Sequence, residues 1–425
     1  MQRDTAFQMA ASNIRFGPGA TSEIGMDLRD MESRRTLVIM DPKLVDLPAG
    51  QTVSESLKKY QVQYDLFTEI VVEPTDASFQ RAVEVAQAGD YDSYVAVGGG
   101  STIDTAKAAN LYATYPAEFL TYVNAPIGGG QPVPGPLKPL IAVPTTAGTG
   151  SETTGVAIFD YVEQGAKTGI AHRYIKPTLG IVDPLNTASL PPSVAASAGL
   201  DVLSHALESY TAIPYDSRPK PDRPLERPAY QGTNPISDIW AIRAMELVNE
   251  YLPRAYRDTS DEEARGQMLL ASAFAGIGFG NAGVHLPHGM SYPISSMGHE
   301  YQPPGYDVAK PLIPHGTSVI LNTAAVVRFT AAANPTRHLQ AAAALGADVA
   351  GIPHERAGDV LAERVIHFMK TLGMPNGLQE VGYTIEDISA LVQGTLPQHR
   401  VTKLSPVPAG PDELTGLFRA SMKVW

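Results

Sequence analysis

The sequence predicts an α/β domain with a parallel sheet over residues 1–190 and an all-α domain over residues 191–425. Three observations carry this. Strand-length apolar runs alternate with helical periodicity through the first 190 residues, the signature of a parallel sheet covered by helices. After Leu190-Pro191-Pro192 that alternation stops, and Ala-rich helical stretches such as residues 332–350 take over. The chain has 425 residues, more than one hydrophobic core usually supports, so two domains are expected.

In order, residues 35–40 (RTLVIM) are an apolar run that stops at Asp41-Pro42. Residues 61–67 (QVQYDLF) begin with polar and apolar residues alternating, as a half-buried strand does. Residues 78–88 have helical spacing, and residues 93–97 are a buried-strand run ending at Gly98-Gly99-Gly100. Residues 140–143 are a further short strand, closed by Pro144. From Ser193 onward the reading is helical, apart from the Pro- and Arg-rich segment 214–234. A loop of that length inside a compact domain is functional or disordered.

Composition excludes several classes. Hydrophobic content is 44% and charged content 18%, ordinary for a globular protein. The net charge of −12 lacks the basic footprint of a nucleic-acid binder. With 0 cysteines there is no disulfide, thiolate site or Cys nucleophile. No apolar run approaches the roughly 18 residues of a membrane span, and the first residues lack a signal-peptide core. The expectation is a cytoplasmic enzyme, or a mitochondrial matrix enzyme with its transit peptide removed.

Two polar loops follow strands. Gly98, Gly99, Gly100 and Ser101 join a strand to a helix, with Asp104 three residues past Ser101 in a capping-box arrangement. Glycines let backbone approach a phosphate, and a helix N-terminus offers free N–H groups. A plain tight turn is the alternative, and the segment is not a GxGxxG fingerprint. Residues 144–152 (PTTAGTGSE), with Thr145, Thr146 and Thr149, form a second candidate cradle; a flexible polar loop is its alternative. Two such loops in one domain point to Rossmann-like nucleotide binding. Asp41, at a strand end, is placed to accept from a ribose diol and to repel a 2′-phosphate, favouring NAD; a turn cap is equally compatible.

The chemistry concentrates in four residues. Asp201 and His205 are four apart and share one face of a helix. His288 and His315 each sit between Pro and Gly, read as turns. One carboxylate and three imidazoles suit Fe(II) or Zn(II) and fit Mg(II) poorly. A metal with an open position polarises a hydroxyl or carbonyl oxygen. Of the 10 histidines, His172, His299, His338, His354, His367 and His399 are isolated and receive no role.

Together, residues 98–101, residues 144–152, the segment from Gly199 through Asp201 to His205, and the two Pro-His-Gly sites resemble the iron-containing (group III) alcohol dehydrogenases over essentially the whole chain. The resemblance implies the two-domain plan shared with dehydroquinate synthase, small-molecule substrates, a homo-oligomer such as a dimer, and Asp201, His205, His288 and His315 as metal ligands. It also implies that Gly98 to Ser101 bind the pyrophosphate, that Thr145, Thr146 and Thr149 line the phosphate and nicotinamide region, and that Lys167 approaches the cofactor. Residues 227–232, 234–238, 276–285 and 396–403 are similar to a subgroup that oxidises 4-hydroxybutyrate while reducing 2-oxoglutarate on a bound nicotinamide. Many family members carry a second His four residues after the first Pro-His-Gly ligand; here that position is Tyr292. Tyr292 and His285 are therefore the candidates for proton transfer, with packing as the alternative for His285. Substrates with carboxylates need cations, and Arg227, Arg400 and Lys403 are the candidates. A conventional NAD-dependent dehydrogenase that releases its cofactor, a metal- and NAD-using lyase of the dehydroquinate-synthase type, and a non-catalytic binding protein are the rival readings.

Overall fold

The computed structural model describes residues 2–298, 300–306 and 311–425; His299 lies outside them. The chain divides into two compact units, residues 10–190 and residues 191–425 joined by the described residues up to Met9.

The first unit runs β1 (Ile14–Phe16), α1 (Ile24–Asp30), β2 (Arg35–Met40), α2 (Pro48–Lys59), β3 (Gln63–Phe67), α3 (Asp76–Ala88), β4 (Ser93–Gly98), α4 (Gly100–Thr114), β5 (Leu140–Pro144), β6 (Val156–Tyr161), β7 (Ala166–Ala171) and β8 (Leu179–Val182). Six strands form one sheet in the order β1-β8-β5-β4-β2-β3, every pair parallel. Side chains alternate between its faces. Val38, Met40, Val95 and Val97 join Ile24, Leu28, Val53 and Leu57 of α1 and α2. Leu37, Ile39 and Ala96 join Ala82, Ala86, Ile103 and Ala106 of α3 and α4 on the other face. Each fully buried Val, Leu or Ile contributes roughly 1.5–3 kcal/mol, and burial on both faces explains why β2 and β4 read as unbroken apolar runs.

β6 and β7 form a separate antiparallel hairpin, turning at Gly165, whose φ of 56° suits glycine. Sequence pattern alone did not separate this hairpin, β1 or β8 from loop. The expected helix over residues 78–88 is α3, capped by Thr75, whose hydroxyl accepts from the Ser78 N–H.

The second unit is helical: α5 (Pro192–Thr211), α6 (Pro235–Arg257), α7 (Glu262–Ala282), α8 (Leu286–Met297), α9 (His315–Thr330), α10 (Pro335–Ala344), α11 (Ala357–Thr371), α12 (Ile388–Thr395), α13 (His399–Thr402) and α14 (Pro411–Ser421). α5 packs against α6, α7 and α9 and is buried almost all round from Ala196 onward. The first residues belong here, not with the sheet. Asp4 is buried and pairs with Arg218 and Arg227, and its N–H donates to the Arg218 carbonyl. Those contacts order the Pro- and Arg-rich segment 214–234. No single helix among the described residues is long and apolar enough to cross a membrane.

Candidate active site

A helix buried all round has little tolerance for polar side chains, because each must be satisfied or put to use. α5 nevertheless carries Asp201, Ser204, His205 and Glu208, all buried. Ser204 is satisfied by the Leu200 carbonyl. Asp201 is not: its Oδ1 is buried without a hydrogen-bond partner. His288 Nε2 stands 3.6 Å from that oxygen and His315 Nε2 stands 3.8 Å away. Those gaps are too long for hydrogen bonds. Ligand atoms bound at about 2.1 Å around one tetrahedral ion stand about 3.4 Å apart, so the spacing fits a shared cation. Donor atoms of Asp201, His288 and His315 all lie within 4.8 Å of one another. His288 Nε2, like Asp201 Oδ1, is buried and unpartnered. This donor set fits a divalent transition metal.

The two later histidines come from the first turns of helices, not from free turns. His288 is the third residue of α8, and His315 is the first of α9 after Pro314. Proline suits a helix start because its missing N–H would be unpaired there. The glycine after each histidine permits close packing. A Cβ at Gly316 would collide with the Ser197 carbonyl and come 3.0 Å from Asp201 Cβ. A Cβ at Gly289 would lie 2.5 Å from Thr402 Cγ2. His205 is not in the three-donor set. Its ring stacks on Phe279 at 3.9 Å and on His288 at 4.6 Å, with Nδ1 3.8 Å from Asp201 Oδ2 and without a hydrogen-bond partner.

Glu208 was not anticipated. Its Oε1 meets His288 Nδ1 at 2.5 Å, and its Oε2 accepts from the N–H groups of His285 and His288 at 2.7 and 3.3 Å. A carboxylate behind a metal-binding imidazole fixes the ring tautomer and raises its basicity. The signal was present: Asp201, His205 and Glu208 follow i, i+4, i+7 on one helix face. Burial opposes charge on Glu208, but His288 holds its pKa below the ordinary carboxylate value. Burial likewise works against the charged Asp201, while His205, His315 and His288 hold it well below the usual range. Burial opposes protonation of His288, yet Glu208 and Asp201 push its pKa up to about 10; burial carries His205 down to about 3.

In the α/β unit the expected loops gather at one place. β2 is followed by β3 on one side and β4 on the other, so the strand order switches between β2 and β4. Ligands of open parallel sheets bind beyond the strand ends at such a switch. Asp41 follows β2, Gly98 ends β4 with Gly99–Ser101 after it, and Thr145 follows β5; the Asp41 N–H donates to the Val97 carbonyl and the Thr145 N–H to the Gly98 carbonyl. A Cβ at Gly100 would stand 2.6 Å from Thr149 Cγ2, and one at Gly99 would stand 3.2 Å from Thr146 Oγ1. The start of α4 and the threonine loop are therefore one packed surface.

Several expectations need correction. Ser101 does not cap α4: the helix begins at Gly100, its N-cap is Gly99, and no side chain caps it. The Asp104 carboxylate faces inward, accepting from Ser151 Oγ at 2.5 Å, from the Ile158 N–H at 2.9 Å and from Lys107, so it is not free for a cofactor. Lys167 on β7 is buried between Glu73, ahead of α3, at 2.7 Å and Asp160 on β6 at 3.0 Å. Arg227 has its fork on Asp4 at 2.9 and 3.1 Å, which occupies the groups a substrate carboxylate would need. Asp41 caps the following turn through the Lys43 N–H, leaving its second oxygen outside that cap. His285 is buried with Nε2 3.0 Å from Thr211 Oγ1, and burial lowers its pKa to about 4, an environment that favours packing over proton transfer. Tyr292 and Arg400 do come together, at 3.1 Å, and Lys403 is exposed on the same segment.

Comparison with known proteins agrees with this geometry. The chain is 57% identical to the mitochondrial hydroxyacid-oxoacid transhydrogenase of Mus musculus over 424 residues, covering 99% of this chain and 91% of that one. The Homo sapiens protein of the same name matches with the same identity and coverage. Among solved structures, a 1,3-propanediol oxidoreductase superposes with a TM-score of 0.84 at 25% identity, covering 98% of this chain and 100% of the other. A sulfoacetaldehyde reductase from Bifidobacterium kashiwanohense in complex with NAD+ gives 0.80 at 27% identity, covering 99% of each chain. The model described as iron-containing alcohol dehydrogenase matches residues 11–184, and that of the C-terminal part of the same family matches residues 226–422. Sheet, helical unit and donor cluster thus have one origin: the chain belongs to the iron-containing alcohol dehydrogenase family.

Proposed function

We propose that this enzyme is a hydroxyacid-oxoacid transhydrogenase working on 4-hydroxybutyrate and 2-oxoglutarate, with Fe(II) at the donor cluster and a retained NAD. The observation that carries the reading is the buried, unpartnered Asp201 Oδ1 and His288 Nε2 with His315 beside them, the other side of the His288 ring being backed by Glu208. Identity of 57% to proteins of that name supports the activity, and their mitochondrial designation supports a matrix enzyme.

Asp201, His288 and His315, with His205 as fourth ligand, would hold the metal. Asp41, Gly98–Ser101 and the Thr145, Thr146 and Thr149 hydroxyls would hold the dinucleotide, Asp41 on the ribose. Once bound, the metal supplies Lewis acidity toward a hydroxyl or carbonyl oxygen, and the nicotinamide accepts a hydride and returns it. Overall, the hydroxyacid would become a semialdehyde and the oxoacid a hydroxyacid, a pair that balances with no net cofactor consumed. Glu208 keeps the His288 ring oriented through both halves. His315 retains 25% side-chain exposure, which opens the cluster to a small molecule.

The test is to incubate Fe(II)-loaded protein with 4-hydroxybutyrate and 2-oxoglutarate, without added NAD. Formation of 2-hydroxyglutarate supports the transhydrogenase. No product, with NADH appearing once NAD is supplied, identifies a conventional dehydrogenase.

A further inference from the structure

We infer that Arg400 is the anchor for the substrate carboxylate, and that Tyr292 is the positioning residue that holds it rather than a carrier of protons. The inference rests on the proposed hydroxyacid substrate.

Arg400 lies on the short helix α13, which is seated on α8 where Gly289 follows His288. A side chain at Gly289 would strike Thr402 and approach Val401 Cγ2 to 3.4 Å. Tyr292 is one turn past His288 on α8, hence on the same face, and is only 4% exposed. Its Oη accepts from Arg400 Nη2 at 3.1 Å. The guanidinium also lies 5.0 Å from the centre of the Tyr230 ring, a cation–π contact. Tyr230 reaches that place because Gly283 has a φ of +96°, where a Cβ would fall 2.8 Å from Tyr230 Cβ. Tyr230 meets Phe279 edge-on, and Phe279 stacks on His205. One continuous wall therefore links His205, Phe279, Tyr230, Arg400 and Tyr292 to the helix that carries His288.

On that wall Arg400 is incompletely used. Its Nη1 is buried with no hydrogen-bond partner, and among the described residues no carboxylate pairs with it. A guanidinium kept from water without an anion is costly. Arg227 shows the alternative, its fork closed by Asp4. Lys403, three residues beyond Arg400, is exposed and adds a second positive charge. An unsatisfied fork beside the donor cluster suits a ligand carrying a carboxylate at one end and a hydroxyl or carbonyl at the other. Hydroxyacid and oxoacid would use the same anchor in turn, so each should inhibit competitively against the other.

The experiment compares the metal-loaded parent with Arg400→Met, Arg400→Lys and Tyr292→Phe, using 4-hydroxybutyrate against 1-butanol for turnover and calorimetric binding of succinate to the holoenzyme. Arg400→Met should lower kcat/KM for the hydroxyacid roughly 100-fold while leaving the neutral alcohol nearly unchanged, and should abolish succinate binding at unchanged metal content. Arg400→Lys should recover part of both. Tyr292→Phe should raise KM for the hydroxyacid about 5-fold with kcat and its pH profile unmoved. Equal loss on both substrates, or undiminished succinate binding in Arg400→Met, overturns the anchor. A Tyr292→Phe enzyme with reduced kcat on both substrates and a shifted pH profile overturns the positioning role. If the parent binds succinate through Arg400 but oxidises no hydroxyacid, the proposed activity fails and the anchor stands.

Discussion

One buried cluster in the helical unit and one buried cation in the α/β unit are partnered in opposite ways. In the helical unit, Asp201 Oδ1, His205 Nδ1 and His288 Nε2 are buried without hydrogen-bond partners. In the α/β unit an equally buried cation, Lys107, is saturated. Its Nζ donates to Ser151 Oγ at 2.5 Å, to the Val156 carbonyl at 2.7 Å, and to Thr154 Oγ1 and Asp104 Oδ1 at 3.3 Å. Burial lowers the Lys107 pKa against the pull of Asp104, so those four partners are what keep it in place. The contrast teaches a rule for these two places: the satisfied Lys107 is scaffold, and the unsatisfied atoms of Asp201 and His288 mark where a ligand would complete the structure.

The comparison can be broken by substitution. Asp201→Asn should cost activity on the order of 10³-fold and empty the site by elemental analysis, yet lower the melting temperature of the metal-free protein less than a scaffold change does. Lys107→Met is that scaffold change. Stranding Asp104 should destabilise the chain by about 3 kcal/mol in a denaturant titration, with metal content unaltered. If Asp201→Asn destabilises more than Lys107→Met, the rule fails. Glu208→Gln sharpens it, because this residue is satisfied yet serves the ligand: metal affinity should fall roughly 10- to 100-fold in a chelator competition. Gly100→Ala should be mildest. Its new methyl presses on Thr149, weakening NAD about tenfold, or some 1.4 kcal/mol, with no effect on metal; a fluorescence titration of NADH reads it.

Sequence exposed what is local. β2 and β4 were legible because burial on both faces writes unbroken apolar runs, and the Asp201–His205 spacing was legible because one helix carries both. The glycines after β4 marked the place where strand order switches. What stayed hidden depended on distant partners. Arg227 looked like a substrate residue because nothing near it in sequence announces Asp4, 223 residues away. Lys167 looked available until Glu73 and Asp160 closed on it. Glu208 was overlooked although its spacing was visible, since the partner that gives it meaning, His288, lies 80 residues further on. β6 and β7 escaped because a two-stranded hairpin outside the main sheet lacks the doubly buried pattern.

The contacts of Asp4 have a consequence for how the chain is made. The described residues up to Met9 pack with the helical unit, while residues 10–190 form a unit of their own, so in sequence the α/β unit is an insertion. Its parallel sheet is complete in sequence once β8 has emerged and can close while the ribosome is still translating. Asp4 has to wait for Arg218 and Arg227. The wait adds little entropy, because closing a loop grows costlier only with the logarithm of its length. Asp4, translated before the sheet, therefore finds its place after it, a latch fastened once the strands that follow it in sequence have already folded.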